Sequence, residues 1–297
     1  MKLTEIRAGV LLITIVIGCV SVLAFLTASS KSFGNVEASR AEVLVTNQLK
    51  RQEITAEIEK RSPLKAEYLE ERNRENFDGY LIDLLQVGEF HGEEVEAKSG
   101  EKWLGLFNED GKSFLAWTTL QVTAVKDEIA DSDTDQMTGK KVSVNQKTTP
   151  IFLLKNADGL RSEKVITLFD ARKIPDEEWD SKTNLNNGFE TEFILRETKF
   201  VLKVVNEKTK EKSISEGSKL IIESGGIAQV VHPQEGGRFG DSWTLHWVGD
   251  LDNDGKLDFF ADLSDHYNVT ARILFLSSSA EEGDLVKDVA GKRTVGC

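Results

Sequence analysis

From residue 101 to residue 231 the chain breaks into short apolar, β-branched runs separated by turn residues, and that spacing leaves little room for anything but strands. Trp103-Leu104-Gly105-Leu106-Phe107 precedes Asn108-Glu109-Asp110-Gly111, and Phe114-Leu115-Ala116-Trp117 follows with a Thr- and Val-rich tail to Val125. Two such runs across an Asp-Gly pair predict a hairpin, because the tight turn needs residues that tolerate positive φ. The same grammar returns at residues 151–154, at Asn156-Ala157-Asp158-Gly159 and at 165–169, which predicts a second hairpin. Further runs follow at 193–195, 200–205, 220–222 and 227–231. The expectation is a mainly β domain over residues 100–297, an antiparallel β-sandwich or an irregular barrel-like domain rather than an α/β fold. No repeat of fixed length is visible, which speaks against a complete propeller. Trp103, Trp117, Trp179, Trp243 and Trp247 are expected in the core or at its rim, with sugar stacking as the alternative.

Upstream, the period changes. Ala41, Leu44, Val45, Leu49, Ile54 and Ile58 recur every three to four residues, which predicts a helix over 36–60. Ser62-Pro63 marks a break, and the charged stretch 64–76 is again compatible with a helix. Together with the apolar patch Leu81, Ile82, Leu84 and Leu85, residues 31–99 are expected to form a helical stalk or subdomain.

Residues 10–26 are almost uninterrupted apolar sequence, with Lys2 and Arg7 before them and Ser29, Ser30 and Lys31 after. Extended to Gly9 and Ala28, such a helix reaches about 30 Å, enough to cross a bilayer. Residues 1–30 are therefore expected to be a signal-anchor or signal peptide, with the basic end inside. The rest would then lie outside the cytoplasm, on the periplasmic or cell-surface side, anchored to the inner membrane through this segment. Cleavage after Ser30 is one alternative. Lipidation is another, since Val16-Ile17-Gly18-Cys19 resembles the lipobox of bacterial lipoproteins.

The formal charge of −13 removes nucleic acid from the expected partners, because neutralising phosphates takes a basic footprint. An extracytoplasmic protein or a glycan remains. The two cysteines, Cys19 and Cys297, provide no disulfide framework, so cohesion must come from a core or a metal. The four histidines, His91, His232, His246 and His266, carry no zinc spacing. Neither a G-x-S-x-G turn nor a phosphate-binding glycine loop is present.

The segment with the most chemistry is Asp250-Leu251-Asp252-Asn253-Asp254-Gly255-Lys256-Leu257-Asp258, between apolar runs. Carboxylates at alternate positions converge when the backbone wraps an ion, and glycine at the sixth position permits the tight turn. Calcium takes such oxygen ligands, with Asp250, Asp252, Asp254 and Asp258 offering side chains and Lys256 its carbonyl. Without a cation these carboxylates repel one another, so binding should tighten the loop. Ala261 stands where an EF-hand would have its glutamate, and strands rather than helices flank the loop. The pattern D-x-D-x-D-G-x-x-D between strands resembles the calcium loops of FG-GAP/VCBS-type repeats over residues 243–262. The resemblance implies the ligand set above. Propeller architecture does not follow from it, since sister repeats are lacking. A second alternating trio, Asp131, Asp133 and Asp135, lacks the glycine and is expected to be solvated linker.

The expected function is an extracytoplasmic, calcium-stabilised binding or structural module with no assigned catalytic residue. A secreted or membrane-anchored hydrolase acting on a polymer such as polysaccharide is the alternative. A carboxylate pair in an aromatic cleft would favour the hydrolase; a metal loop remote from any deep groove would favour the module.

Overall fold

The computed structural model describes residues 79–133, 135–234 and 243–295. These form β1 (Ile82–Leu85), β2 (Gly88–Phe90), β3 (Lys102–Glu109), β4 (Lys112–Val125), β5 (Gly139–Val144), β6 (Leu153–Lys155), β7 (Lys164–Asp170), β8 (Glu190–Leu195), β9 (Thr198–Val205), β10 (Lys219–Ser224), β11 (Ile227–Pro233), β12 (Trp243–Asp250), β13 (Asp258–Leu263), β14 (Val269–Leu276) and β15 (Lys287–Val295). One short α-helix, α1 (Asp176–Thr183), is present among them.

The Asp110-Gly111 hairpin forms as its residues predict. β3 and β4 pair from Lys102↔Thr119 to Glu109↔Lys112, with Asp110 at φ 49° and Gly111 at φ 78°. The second expected hairpin does not form. β6 pairs with β1 and β3, and β7 pairs with β4 and β12, so the Asp158-Gly159 turn joins strands that are not neighbours.

Following the ladder explains why. Strands run β4-β3-β6-β1-β15-β14-β13-β12-β7, and β7 returns to β4 through Ser113↔Val165 and Phe114↔Lys164. Nine strands therefore close on themselves, which removes sheet edges from the barrel. β4 is long enough to serve three ladders: it pairs with β3 from Lys112 to Thr119, near its start it meets β7 and closes the barrel, and from Leu120 to Val125 it pairs with β5, which extends outward to β2. All pairings are antiparallel except β1 with β15. A separate four-stranded sheet, β11-β10-β9-β8, covers one side.

Two cores result. Leu104, Leu106, Phe152, Leu154, Trp247, Phe260 and Leu274 pack together, with Phe152 edge-on to Phe260 at 5.0 Å. Phe193, Phe200, Leu202, Leu220 and Ile222 of the four-stranded sheet pack instead on Trp243, Leu245, Phe259, Ala261 and Phe275 of β12, β13 and β14. β13 is consequently buried along its whole length, Phe259 and Ala261 in one core and Phe260 in the other. Trp103, Trp243 and Trp247 are core residues, whereas Trp117 is exposed.

Three expectations are corrected. The sandwich or irregular barrel with an N-terminal helical region is a closed barrel with an added sheet, and Ile82 to Leu85 of the supposed helical region form β1, paired to β6 and β15. The chain is not a propeller or a tandem calcium-loop array, so the FG-GAP/VCBS likeness fails at the level of architecture. Among the described residues no helix is long and apolar enough to cross a membrane. The segment expected to do so, residues 1–30 with Cys19, and the helix over 36–60 lie outside the described residues. The anchored, extracytoplasmic location expected from that segment has no spanning helix to support it among the described residues.

Candidate metal centre

The acidic segment connects β12 to β13, two barrel strands in register at Gly249↔Asp258. Its apolar residues anchor it on both sides. Leu251 is buried in the barrel core and Leu257 in the core beneath the four-stranded sheet. The alternation of Asp with Leu at these ends thus divides labour between the loop's polar centre and its two hydrophobic footings. Asn253 takes φ 61° and its Nδ2 donates to the Lys164 carbonyl at 2.9 Å, tying the loop to β7. Gly255 takes φ 86°, the left-handed conformation the sixth position was expected to need.

Asp250, Asp252 and Asp254 each bring one carboxylate oxygen within 4.8 Å of the others. Backbone donors hold them there: Asp250 Oδ2 accepts from Gly255 N–H at 3.1 Å, Asp252 Oδ1 from Asp254 N–H at 3.2 Å, and Asp254 Oδ1 from Lys256 N–H at 2.8 Å. Asp250 is fully buried, Asp252 half-buried and Asp254 exposed, so the cluster opens to solvent on one side. Lys256 is exposed.

Asp258 stands apart from that trio. Its Oδ2 accepts from Leu251 N–H at 2.7 Å, and its Oδ1 accepts from the N–H and Oγ of Ser277 at 2.7 and 2.8 Å. It brackets the start of the loop to the end of β14. Ser277 Oγ also lies 3.2 Å from Asp254 Oδ1, which links the two parts of the site. Neither Ser277 nor Arg196, whose Nη2 lies 3.3 Å from Asp250 Oδ2, was identified from sequence. Both come from strand ends remote along the chain, and nothing in the motif points to them.

Burial disfavours charge on Asp258 and Asp250. It pushes the Asp258 carboxyl up to about 7, with the charge of Asp252 adding to the effect. Burial also raises Asp250, aided by Asp254 and Asp252 and opposed by Gly255 N–H and Arg196. A divalent cation reverses this balance, since it favours every ionised carboxylate around it. Asp250 Oδ1 is moreover buried without any hydrogen-bond partner, the one carboxylate oxygen in that condition among the described residues. Such an atom is costly unless something binds it.

The chain matches no known family model, no curated protein and no solved structure. What the site can do rests on its own geometry.

Other clusters offer less. Asp131 of the weaker trio is not solvated linker but buried, accepting from Asp127 N–H at 2.9 Å and from Thr138 N–H at 2.7 Å. It holds a turn, while Asp133 and Asp135 are exposed. Gln86 and Arg272 have buried unpartnered atoms beside a cavity of about 10 Å³, room for one water and no larger ligand. A groove of about 790 Å³ is lined by Tyr80, Asp83, Glu93, Glu101, Trp103 and Lys155 among others, and no residue of the 250–258 loop reaches it. Within it, a hydrogen bond from Lys155 holds Glu101 below the usual carboxylate range, with Trp103 Nε1 contributing a second. A general acid needs the opposite shift.

Proposed function

We propose that the β12–β13 loop binds calcium and that the protein is a calcium-stabilised binding or structural module, the ion acting on stability and not in catalysis. The observation that carries this reading is the buried, unpartnered Oδ1 of Asp250 beside the converging oxygens of Asp252 and Asp254. In the proposed site the Lys256 carbonyl and Asp258 complete the ligand set. A flexible, oxygen-only set with one solvent-facing side suits calcium better than magnesium, which demands tighter octahedral geometry and releases water reluctantly. The loop's anchorage in two cores supports a structural role, because an ion there ties β12 and β13 to both. No residue of the loop lines the groove, and Lys155 holds its Glu101 below the usual carboxylate range, so the polymer-hydrolase reading gains no support from it.

Thermal unfolding of the full chain with calcium or with chelator tests the reading. An ion that binds only the folded state at a hundred times its Kd should add about 2.7 kcal/mol. Asp250→Ala and Asp254→Ala should remove most of that gain, Asp133→Ala should keep it, and magnesium should replace calcium poorly. An unchanged calcium gain in Asp250→Ala sinks the assignment.

A further inference from the structure

Arg196 lies in the turn between β8 and β9, where Leu195 pairs with Thr198. Arg196 (φ 45°) and Glu197 (φ 74°) both occupy the left-handed region. Turns of this kind prefer Asn and Gly, so an Arg-Glu pair there must be held by its surroundings. Two holds are visible. Leu195 is buried in the same core as Leu257 of the acidic loop. The Arg196 guanidinium lies against that loop, Nη2 at 3.3 Å from Asp250 Oδ2, and Nη1 at 3.1 Å from where a methyl on Gly255 would stand.

The pairing is incomplete in a telling way. Asp250 is fully buried while the Arg196 side chain is 51% exposed. The contact is longer than the 2.7–2.9 Å of a well-formed charge-assisted bond. It serves Oδ2 only and leaves Oδ1 without a partner. Arg196 therefore supplies positive charge to a cluster of three carboxylates and leaves Asp250 Oδ1 open.

We propose that Arg196 is the resident counter-cation of the metal loop, that calcium displaces it from Asp250, and that Arg196 thereby sets the loop's affinity and couples its occupancy to the β8–β9 hairpin. This rests on the calcium reading above. Bound calcium neutralises the charge that attracts the guanidinium and repels the guanidinium directly. At a separation of a few ångströms near the surface, that competition weakens binding on the order of tenfold. Loss of the contact also frees one of the two holds on a turn whose backbone is already unfavourable, so the hairpin tip should loosen when the ion binds.

The experiment is calorimetric titration of the full chain with calcium chloride, comparing wild type with Arg196→Gln, Lys199→Gln and Asp250→Ala. Lys199 neighbours the turn but pairs with Glu192, so its variant reports the effect of net charge alone. Arg196→Gln is expected to bind about tenfold more tightly, Lys199→Gln to match wild type, and Asp250→Ala to lose the response. In wild type, which needs no variant to fold, amide exchange across residues 195–198 is expected to quicken on calcium addition. Unchanged or weaker affinity in Arg196→Gln, tightening of the same size in Lys199→Gln, or slower exchange at 195–198 overturns the inference while leaving calcium binding intact. Absence of calcium binding in wild type overturns both.

Discussion

Among individual residues, Asp258 does structural work in the loop whether or not an ion is bound. Both of its oxygens receive donors, from Leu251 on one side and Ser277 on the other. Asparagine in its place would set an amide N–H₂ against one of these donors and leave a buried group unsatisfied, at a cost of about 1–3 kcal/mol. Asp258→Asn should therefore destabilise the protein in chelator as well as in calcium. Asp252→Asn, half-buried and accepting a single backbone N–H, should cost little without the ion. Denaturant unfolding in chelator checks the pair, and equal effects would contradict this division of roles. The carboxylates of the site were legible because Asp at alternate positions followed by Gly is a local pattern. Ser277 and Arg196 were not, because only the folding of distant strands brings them to the loop.

Among the elements, the same contrast separates hairpins that a turn encodes from those it does not. Asp110-Gly111 specifies β3–β4 on its own, whereas Asn156 to Gly159 only looks like a hairpin, since barrel closure gives β6 and β7 other partners. Ile82 to Leu85 carried no distinct period, and four residues are too few to separate strand from helix. Asp131, expected with Asp133 and Asp135 to lie in solvated linker, is instead held by polar contacts with Asp127 and Thr138. Asp127 accepts from Ile129 and Ala130 N–H groups and pairs with His91 Nδ1 at 2.5 Å, tying the turn to the segment after β2. The hydrogen bond to Asp127 raises the His91 pKa, with Asp127, Glu94 and Glu93 charges adding and burial opposing. Backbone N–H from Ala130, then the His91 bond, lower that of Asp127. The stability from His91 is thus fully present below its unfolded value near 6.5 and is lost as pH rises through the raised folded value. That from Asp127 is present above about 4 and is lost as pH falls through its lowered folded value. Histidine NMR titration should place His91 above 6.5, and Asp127→Asn should bring it down. By contrast His232 and His246, lowered to about 4 by burial, should stay neutral until strongly acidic pH. A His91 that titrates with His232 would contradict the pairing.

Over the whole molecule, closure of the barrel depends on pairings the sequence does not display. β1 meets β15 across most of the described chain, and β4 returns to β7 through only two register pairs. Period-2 patterning is also lost in β13, where the barrel covers one face and the added sheet the other. A mainly β domain and the β3–β4 hairpin were readable from local runs; the pairings that close the barrel were not. The acidic loop lies where these layers join, with Leu251 in one core and Leu257 in the other, so an ion bound there would act on the stability of both. The most direct test is calorimetric titration of calcium into the full chain beside its Asp250→Ala variant at fixed ionic strength. One calcium per chain, bound at millimolar concentration or below and lost in Asp250→Ala, is the predicted result. No binding by the wild type, or undiminished binding by the variant, would contradict it.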